Sequence, residues 1–343
     1  MRAMLLDRLQ PIFDDGAPLR LAEVPTPAIG DDEVLLQVLA CGVCHTELDE
    51  IEGRTPPGRL PMILGHQVVG RIVGAGQRVT QWQPGQRVGV AWIGSSCGNC
   101  LYCRTDRENL CPQFRATGRD LDGGYAEFMA APAAYLYRLP EQLSDVEAAP
   151  LLCAGAIGYR SLRLTNLQDG QRLGLTGFGS SARLMLRLVR EQFPRTEVFV
   201  FARSEAERQA ALEMGACWAG DTSAPAPAPL DAIVDTTPAW TPVVAALENL
   251  APGGRLVINA IRKEPADRSV LASLDYERHL WLEKEIKSVA NVTRRDVGEW
   301  LQLAEQIRLR PAVEVFPLEE ANAALTQLKT RPVTAAKVLK ISD

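Results

Sequence analysis

The sequence lacks a basic block. Its 37 basic residues, 31 Arg and only six Lys, are scattered among 42 acids for a net charge of −5. A mildly acidic chain of this kind argues against nucleic acid as a main partner. It also lacks a membrane-length apolar run. Val88–Cys103, among the longest uncharged stretches, is broken by Ser, Asn and Gly, and nothing reaches the roughly 18 apolar residues a membrane span needs. The opening Met-Arg-Ala-Met-Leu-Leu-Asp puts an acid where the apolar part of a secretory leader would run, so the expected setting is cytoplasmic, with no membrane partner. Histidine is scarce, at three residues, but cysteine is not: there are eight, six of them between Cys41 and Cys111. Without export such thiols stay reduced, so the clustering reads as metal ligation rather than disulfides. Apolar residues make up 46% and charged residues 23%, as in a globular protein. At roughly 150 residues per domain the length predicts about two domains, large enough to hold a core without cross-links.

The two halves differ in pattern. The N-terminal part combines Gly, Val and Pro with short apolar runs at Glu33–Leu39, Gln67–Val73 and Gln86–Val90, separated by turns at 74–76, 84–85 and 122–124. This predicts closely spaced strands in a mostly β, barrel-like domain. Past Pro150, strands at Gln171–Leu175, Glu197–Phe201, Ala232–Asp235 and Gly254–Ala260 alternate with helices at Ser180–Arg190, Ser204–Met214 and Pro242–Leu250. Alternation of this kind predicts a parallel sheet with crossover helices, so the class is α/β with a second domain at 152–290. The Ala/Pro run Ser223–Pro229 reads as a surface loop within it. The remainder, 291–343, reads as helix Arg295–Ile307, strand Val313–Phe316, helix Leu318–Leu328 and strand Ala336–Ile341.

Three constellations carry chemistry. Cys97, Cys100, Cys103 and Cys111 follow C-x2-C-x2-C-x7-C, a spacing that wraps one loop around a tetrahedral zinc and leaves no open position, hence a structural site. An iron–sulfur cluster also takes four cysteines, but nothing in the sequence points to electron relay. Cys44, His66 and Cys153 offer two sulfurs and one imidazole, a set that leaves one zinc position open for substrate. By spacing alone Cys153 reads equally as a small core residue, and Cys41 and Cys217 read as core thiols. Gly42 and Gly65 allow close backbone approach, Glu47 is placed to accept from the His66 ring, and Thr46 supplies a hydroxyl that reads also as a local cap.

The third constellation is Gly177-Phe-Gly179-Ser180-Ser181-Ala182, a G-x-G-x-x-A turn between a strand and a helix, which suits a dinucleotide pyrophosphate at the helix N-terminus. The next strand ends Phe201-Ala202-Arg203-Ser204. The acid that would hold the ribose hydroxyls is absent, and Arg203 stands where it would pair with a 2′-phosphate, unless it is a plain surface residue. The expected cofactor is therefore NADP(H) over NAD(H).

These motifs together resemble the zinc-dependent alcohol dehydrogenases of the medium-chain dehydrogenase/reductase superfamily. The resemblance runs through Cys41–Thr46, Gly65-His66, Val79–Val88, the four-cysteine lobe, Gly123–Glu127, Cys153–Gly155 and Gly177–Ala182, and so covers nearly the whole chain. It implies a GroES-like β-barrel-type catalytic domain built from 1–151 and 291–343, a doubly wound Rossmann domain at 152–290, and an active site in the cleft between them. It further implies a catalytic zinc on Cys44, His66 and Cys153, a structural zinc on the four cysteines, Thr46 at the substrate oxygen and His45 near the pyrophosphate. Hydride transfer between the nicotinamide cofactor and a small alcohol or aldehyde follows, in a homodimer or homotetramer. Other implied readings are an enzyme for a sugar, polyol or cinnamyl-type aldehyde, and a non-catalytic cofactor- or zinc-binding protein on the same scaffold. Three departures stand out: Gln67 where the family has Glu, Asp49 where many members have the His that ends a proton relay, and Ala202 in place of the ribose acid. Trp92 and Ile93, with Thr55, read as pocket lining or as core.

Overall fold

The computed structural model describes residues 1–12, 17–331 and 334–342. The chain divides into two compact units, Met1–Ala156 with Val292–Asp343, and Ile157–Asn291, against the expected division at 151/152 and 290/291. The first shift has a packing cause. The Trp300 ring lies where a side chain on Gly155 would be, a Cβ there coming within 2.3 Å of its Nε1, and that indole N–H donates to Leu151 O at 3.0 Å. Residues 151–156 are thereby tied to the helix Arg294–Gln306 of the first unit.

The first unit is built on the long strand Glu33–Val43. Val34, Leu36 and Val38 alternate inward and are fully buried, the period-2 pattern of a strand with one face on the core. One edge of this strand pairs antiparallel with Gln67–Ala75. The other edge is shared, Phe128–Pro132 pairing with its first half and Ala336–Lys340 with its second. Register shifts at Leu35/Leu36 and Val38/Ala40 are the kind of irregularity that bends a strand and lets a sheet curl. The C-terminal strand is thus a structural part of the N-terminal sheet.

The second unit holds an all-parallel six-stranded sheet. Its order across is Trp218–Gly220, Glu197–Phe201, Arg172–Thr176, Leu230–Asp235, Leu250–Ile258, Glu285–Ser288. In chain order this is 3-2-1-4-5-6, the doubly wound arrangement whose crevice lies where the order reverses, between the first and fourth strands. Two of these strands, Trp218–Gly220 and Glu285–Ser288, carry no apolar run in the sequence. Both are edges, half-buried or exposed, so burial never selected for a hydrophobic pattern there. The edge position also corrects the reading of Cys217 as a core thiol. It is exposed because it enters the edge strand, with its thiol donating to Val198 O at 3.1 Å. Cys41, by contrast, is fully buried. No helix among the described residues is long and apolar enough to cross a membrane.

Candidate functional site

The strand Glu33–Val43 delivers the chain to Cys44, which N-caps the short helix His45–Ile51. The cap makes Cys44 Sγ accept from Thr46 N–H at 3.3 Å and turns Glu47 back, so that its Oε2 accepts from Cys44 N–H at 2.8 Å. The other Glu47 oxygen lies 2.6 Å from His66 Nδ1, both side chains being fully buried. One carboxylate therefore touches both residues, and by engaging Nδ1 it leaves His66 Nε2 to face Cys44 Sγ, 3.6 Å away. His66 follows Gly65, whose φ of +95° and closeness to Tyr125 and Cys41, 2.4 and 2.8 Å from where a Cβ would stand, exclude any side chain. Cys153 closes the set at the end of the short helix Ala149–Leu152, and the three donor atoms lie within 4.8 Å of one another.

The chemistry of this donor set fits a tetrahedral metal ion. Zinc bonds of about 2.3 Å to sulfur and about 2.0 Å to nitrogen put neighbouring ligand atoms roughly 3.6 Å apart, which matches the Cys44–His66 separation. The Cys44 thiol is pushed well up by its contact with Cys153, by burial and by Glu47. Burial disfavours a charged His66, yet Glu47 and Cys44 hold its pKa well above the usual range. A site so rich in negative character favours a cation, which also inverts the thiol shifts.

The four-cysteine lobe fits by the same test. A tetrahedral S4 site implies sulfurs about 3.8 Å apart, and Cys97–Cys103 and Cys100–Cys103 are 3.8 and 3.6 Å apart, with all four within 4.8 Å. Backbone N–H groups of Asn99 and Cys100 bring the Cys97 thiol down to about 6, while burial raises Cys111 to about 11. Ser96 Oγ joins Cys103 Sγ (3.2 Å) to Tyr135 OH (2.8 Å), and Arg294 lies 5.2 Å over the Tyr135 ring. Glu108 from the lobe accepts from Arg294 N–H at 2.8 Å, fastening the lobe to the start of helix Arg294–Gln306.

In the second unit, Gly177 has φ +81° and donates to Phe201 O at 2.8 Å. Gly179 caps the helix Ser180–Gln192, and nothing among the described residues stands within 4 Å of where its Cβ would be. The N–H groups of the first turn, Ser180 to Ala182, have no partner within the helix. Ala202 is buried and Arg203 exposed. Ser204 caps the helix Glu205–Glu213 by accepting from Glu207 N–H at 3.2 Å.

Of the remaining expected residues, His45 is exposed and Thr46 half-buried beside Cys44. Asp49 is buried and accepts from Arg54 Nε at 2.5 Å. Trp92 and Ile93 are buried, Trp92 lying 5.2 Å from Phe114 and beneath Arg119. No spacing rule marks Arg208, whose guanidinium donates to Ala202 O and Arg203 O at 2.8 and 3.0 Å. Nor does any mark Glu50, a fully buried carboxyl with no hydrogen-bond partner on either oxygen among the described residues. Its one legible trace is the i,i+3 offset from Glu47, which puts both on one helix face.

Glu50 yields a pH prediction. Burial, then repulsion from Glu47, raises its pKa well above the ordinary 4.5. The folded state thus binds its proton more tightly than the unfolded state, and the group's contribution is complete below about pH 4.5 and lost as pH rises. Glu50→Gln is therefore expected to be more stable than the parent at pH 8, by about 2 kcal/mol, with the difference vanishing near pH 4. Thermal melts of both proteins across pH check this, and a Gln variant less stable at every pH counts against it.

The alcohol dehydrogenase GroES-like domain family matches residues 30–141. The chain is 42% identical over 332 residues to the probable alcohol dehydrogenase AdhA of Mycobacterium tuberculosis, spanning 95% of this chain and 94% of that protein. It is 32% identical over 338 residues to an alcohol dehydrogenase of Geobacillus stearothermophilus, spanning 95% and 96%. A solved cinnamyl alcohol dehydrogenase of Sorghum bicolor matches with a TM-score of 0.82 at 26% identity, over 99% of this chain and 97% of that one. Sequence likeness of this extent, on a GroES-like unit and a doubly wound parallel sheet, makes the chain a member of the alcohol dehydrogenase family of the medium-chain dehydrogenase/reductase superfamily.

Proposed function

We propose that this alcohol dehydrogenase transfers hydride reversibly between NADP(H) and an alcohol/carbonyl pair, with one zinc at Cys44, His66 and Cys153 and a second, structural zinc at Cys97, Cys100, Cys103 and Cys111. The observation that carries the reading is the three-donor cluster within 4.8 Å, with Glu47 engaging both Cys44 and His66. Zinc in that cluster supplies a Lewis acid for the substrate oxygen. The dinucleotide supplies the hydride chemistry. The residues of the chain do the rest. Glu47 fixes the His66 ring so that Nε2 is the ligand atom. Thr46, in the first turn beside Cys44, gives or takes the substrate hydroxyl proton, and Asp49 one turn further along passes it outward. Ser180, Ser181 and Ala182 offer their N–H groups to the pyrophosphate, with His45 as a further contact. Purified protein assayed for zinc and for turnover of simple, sugar, polyol and cinnamyl-type substrates with NADPH and NADH tests the reading. Absence of both zinc and turnover sinks it.

The cofactor preference rests on Ala202, Arg203 and Ser204. With no carboxylate at the end of the second strand, a 2′-phosphate meets Arg203 rather than a like charge. Ala202→Asp is expected to move the NADPH/NADH ratio of kcat/KM toward NADH by about tenfold, the effect of a ~1.4 kcal/mol like-charge penalty. An unmoved ratio counts against the assignment. Free cysteines at both clusters support a cytoplasmic setting, where thiols stay reduced. The exposed edge strand Glu285–Ser288, with Trp281 and Leu282 about half exposed beside it, supports assembly as a homodimer or homotetramer.

A further inference from the structure

A buried ion pair lies at the carboxyl end of the parallel sheet, and nothing in the reaction assigned above uses it. Asp235 ends the fourth strand, Leu230–Asp235, opposite Thr176 of the first. Lys263 follows the fifth strand, Leu250–Ile258. Its ammonium is paired with Asp235 Oδ2, both side chains being buried, and it donates to Thr237 O at 2.8 Å and Ala239 O at 3.0 Å. The other Asp235 oxygen accepts from Thr237 Oγ1 at 2.7 Å and Thr237 N at 3.3 Å. The pair thus fixes the loop 236–240 from both sides and ties it to the loop after the fifth strand.

That loop borders the nucleotide turn. Thr236 donates through its N–H and its hydroxyl to Thr176 O, at 2.8 and 2.9 Å, and its Oγ1 is 2.7 Å from where a Cβ on Gly177 would stand. In a doubly wound sheet the two mononucleotide halves bind on opposite sides of the reversal point. The end of the second strand, Ala202 to Ser204, faces the adenosine ribose. The loops after the fourth and fifth strands therefore fall to the other half. A buried ion pair is weak evidence for stability, since apolar residues of like volume serve as well, and so its place in the fold calls for another account.

We propose that Asp235 and Lys263 are positioning residues that hold loop 236–240 as the wall of the nicotinamide-mononucleotide subsite, while leaving the adenosine half untouched. This rests on the nicotinamide cofactor assigned above. The test compares the parent with the double variant D235N/K263M. The double variant removes both charges together and so strands neither in the interior. The introduced carboxamide keeps an acceptor for Thr237, while the grip of Lys263 on the two carbonyls is lost. NADPH, NADH and the adenosine-half fragments 2′-phospho-AMP and AMP are titrated by calorimetry. The expected result is that the better dinucleotide binds at least about fivefold more weakly to the variant, from lost orientation of one half. The matching fragment changes by less than about twofold, and KM for the dinucleotide rises in parallel. Unchanged dinucleotide affinity overturns the proposal, as does an equal loss for the fragment, which marks general damage to the unit. A parent that binds neither dinucleotide overturns the cofactor assignment itself, a failure visible before any variant is made. The single variant K263M is a second check: if it folds, it shows the same split between dinucleotide and fragment, and an even loss across both counts against the subsite.

Discussion

Cys44→Ser is expected to give a folded protein with one zinc fewer per chain and turnover at least about a thousandfold lower, the rate equivalent of the several kcal/mol of charge stabilisation a metal supplies. Serine keeps the size and the cap: its hydroxyl can accept from Thr46 N–H, as Sγ does now at 3.3 Å, and hydroxyls are strong helix caps. What it loses is a sulfur that deprotonates readily on a metal. The His66–Glu47 contact is left in place, so the loss is confined to the metal. Zinc analysis with circular dichroism and steady-state rates checks all three parts. Retained turnover with one zinc fewer would separate this centre from catalysis. Glu47→Gln provides a graded companion. It keeps both contacts in size but weakens the negative partner of His66, and residues behind a metal ligand typically cost about 10–100-fold.

Cys103→Ser is expected to open the four-cysteine lobe while sparing both sheets. The lobe has little core of its own. Leu101 is 67% exposed and Leu110 42%, and its buried polar residues Glu108 and Asn109 are no substitute for apolar burial. Its sulfurs, 3.6–3.8 Å apart around Cys103, are the element that closes it, and structural zinc in small motifs supplies folding free energy outright. Trypsin reaches exposed arginines at 104, 107 and 115, so cleavage there is expected to speed up by about tenfold or more, as local opening replaces global unfolding. On the proposed two-zinc content, one zinc is expected to be lost while the cluster at Cys44 keeps its own. An unchanged cleavage rate would show that the lobe stands without metal. Because Ser96 connects Cys103 to Tyr135, a lesser loosening of helix Arg294–Gln306 should follow, measurable as faster amide exchange at its N-terminus.

How much of this was legible in the sequence depends on how local each feature is. The C-x2-C-x2-C-x7-C loop and the G-x-G-x-x-A turn are local, because their geometry is set within one turn by glycine conformations and two-residue gaps. The apolar run Glu33–Leu39 and the helical spacing of Ser180–Arg190 are equally readable, since short runs and periods of this kind are local. The edge strands Trp218–Gly220 and Glu285–Ser288 were not, as an edge demands no apolar alternation. Cys217 was misread as core for the same reason.

The sequence by itself determined the α/β class, the parallel order of the second unit's main strands and the residue types able to hold metal and dinucleotide, because each of these follows from short-range periodicity and spacing. Spacing along the chain leaves open which distant residues meet; the family resemblance implies two such meetings, and the tertiary structure shows them atom by atom. Cys153 joins Cys44 and His66 across a long stretch of intervening chain. The final strand Ala336–Lys340 completes the sheet begun by Glu33–Val43. Asp235 finds Lys263, and Glu50 is left buried without a hydrogen-bond partner among the described residues. Contacts of that range are chosen by burial and by the competition among polar groups for partners. That competition is settled in three dimensions and leaves no periodic trace along the chain.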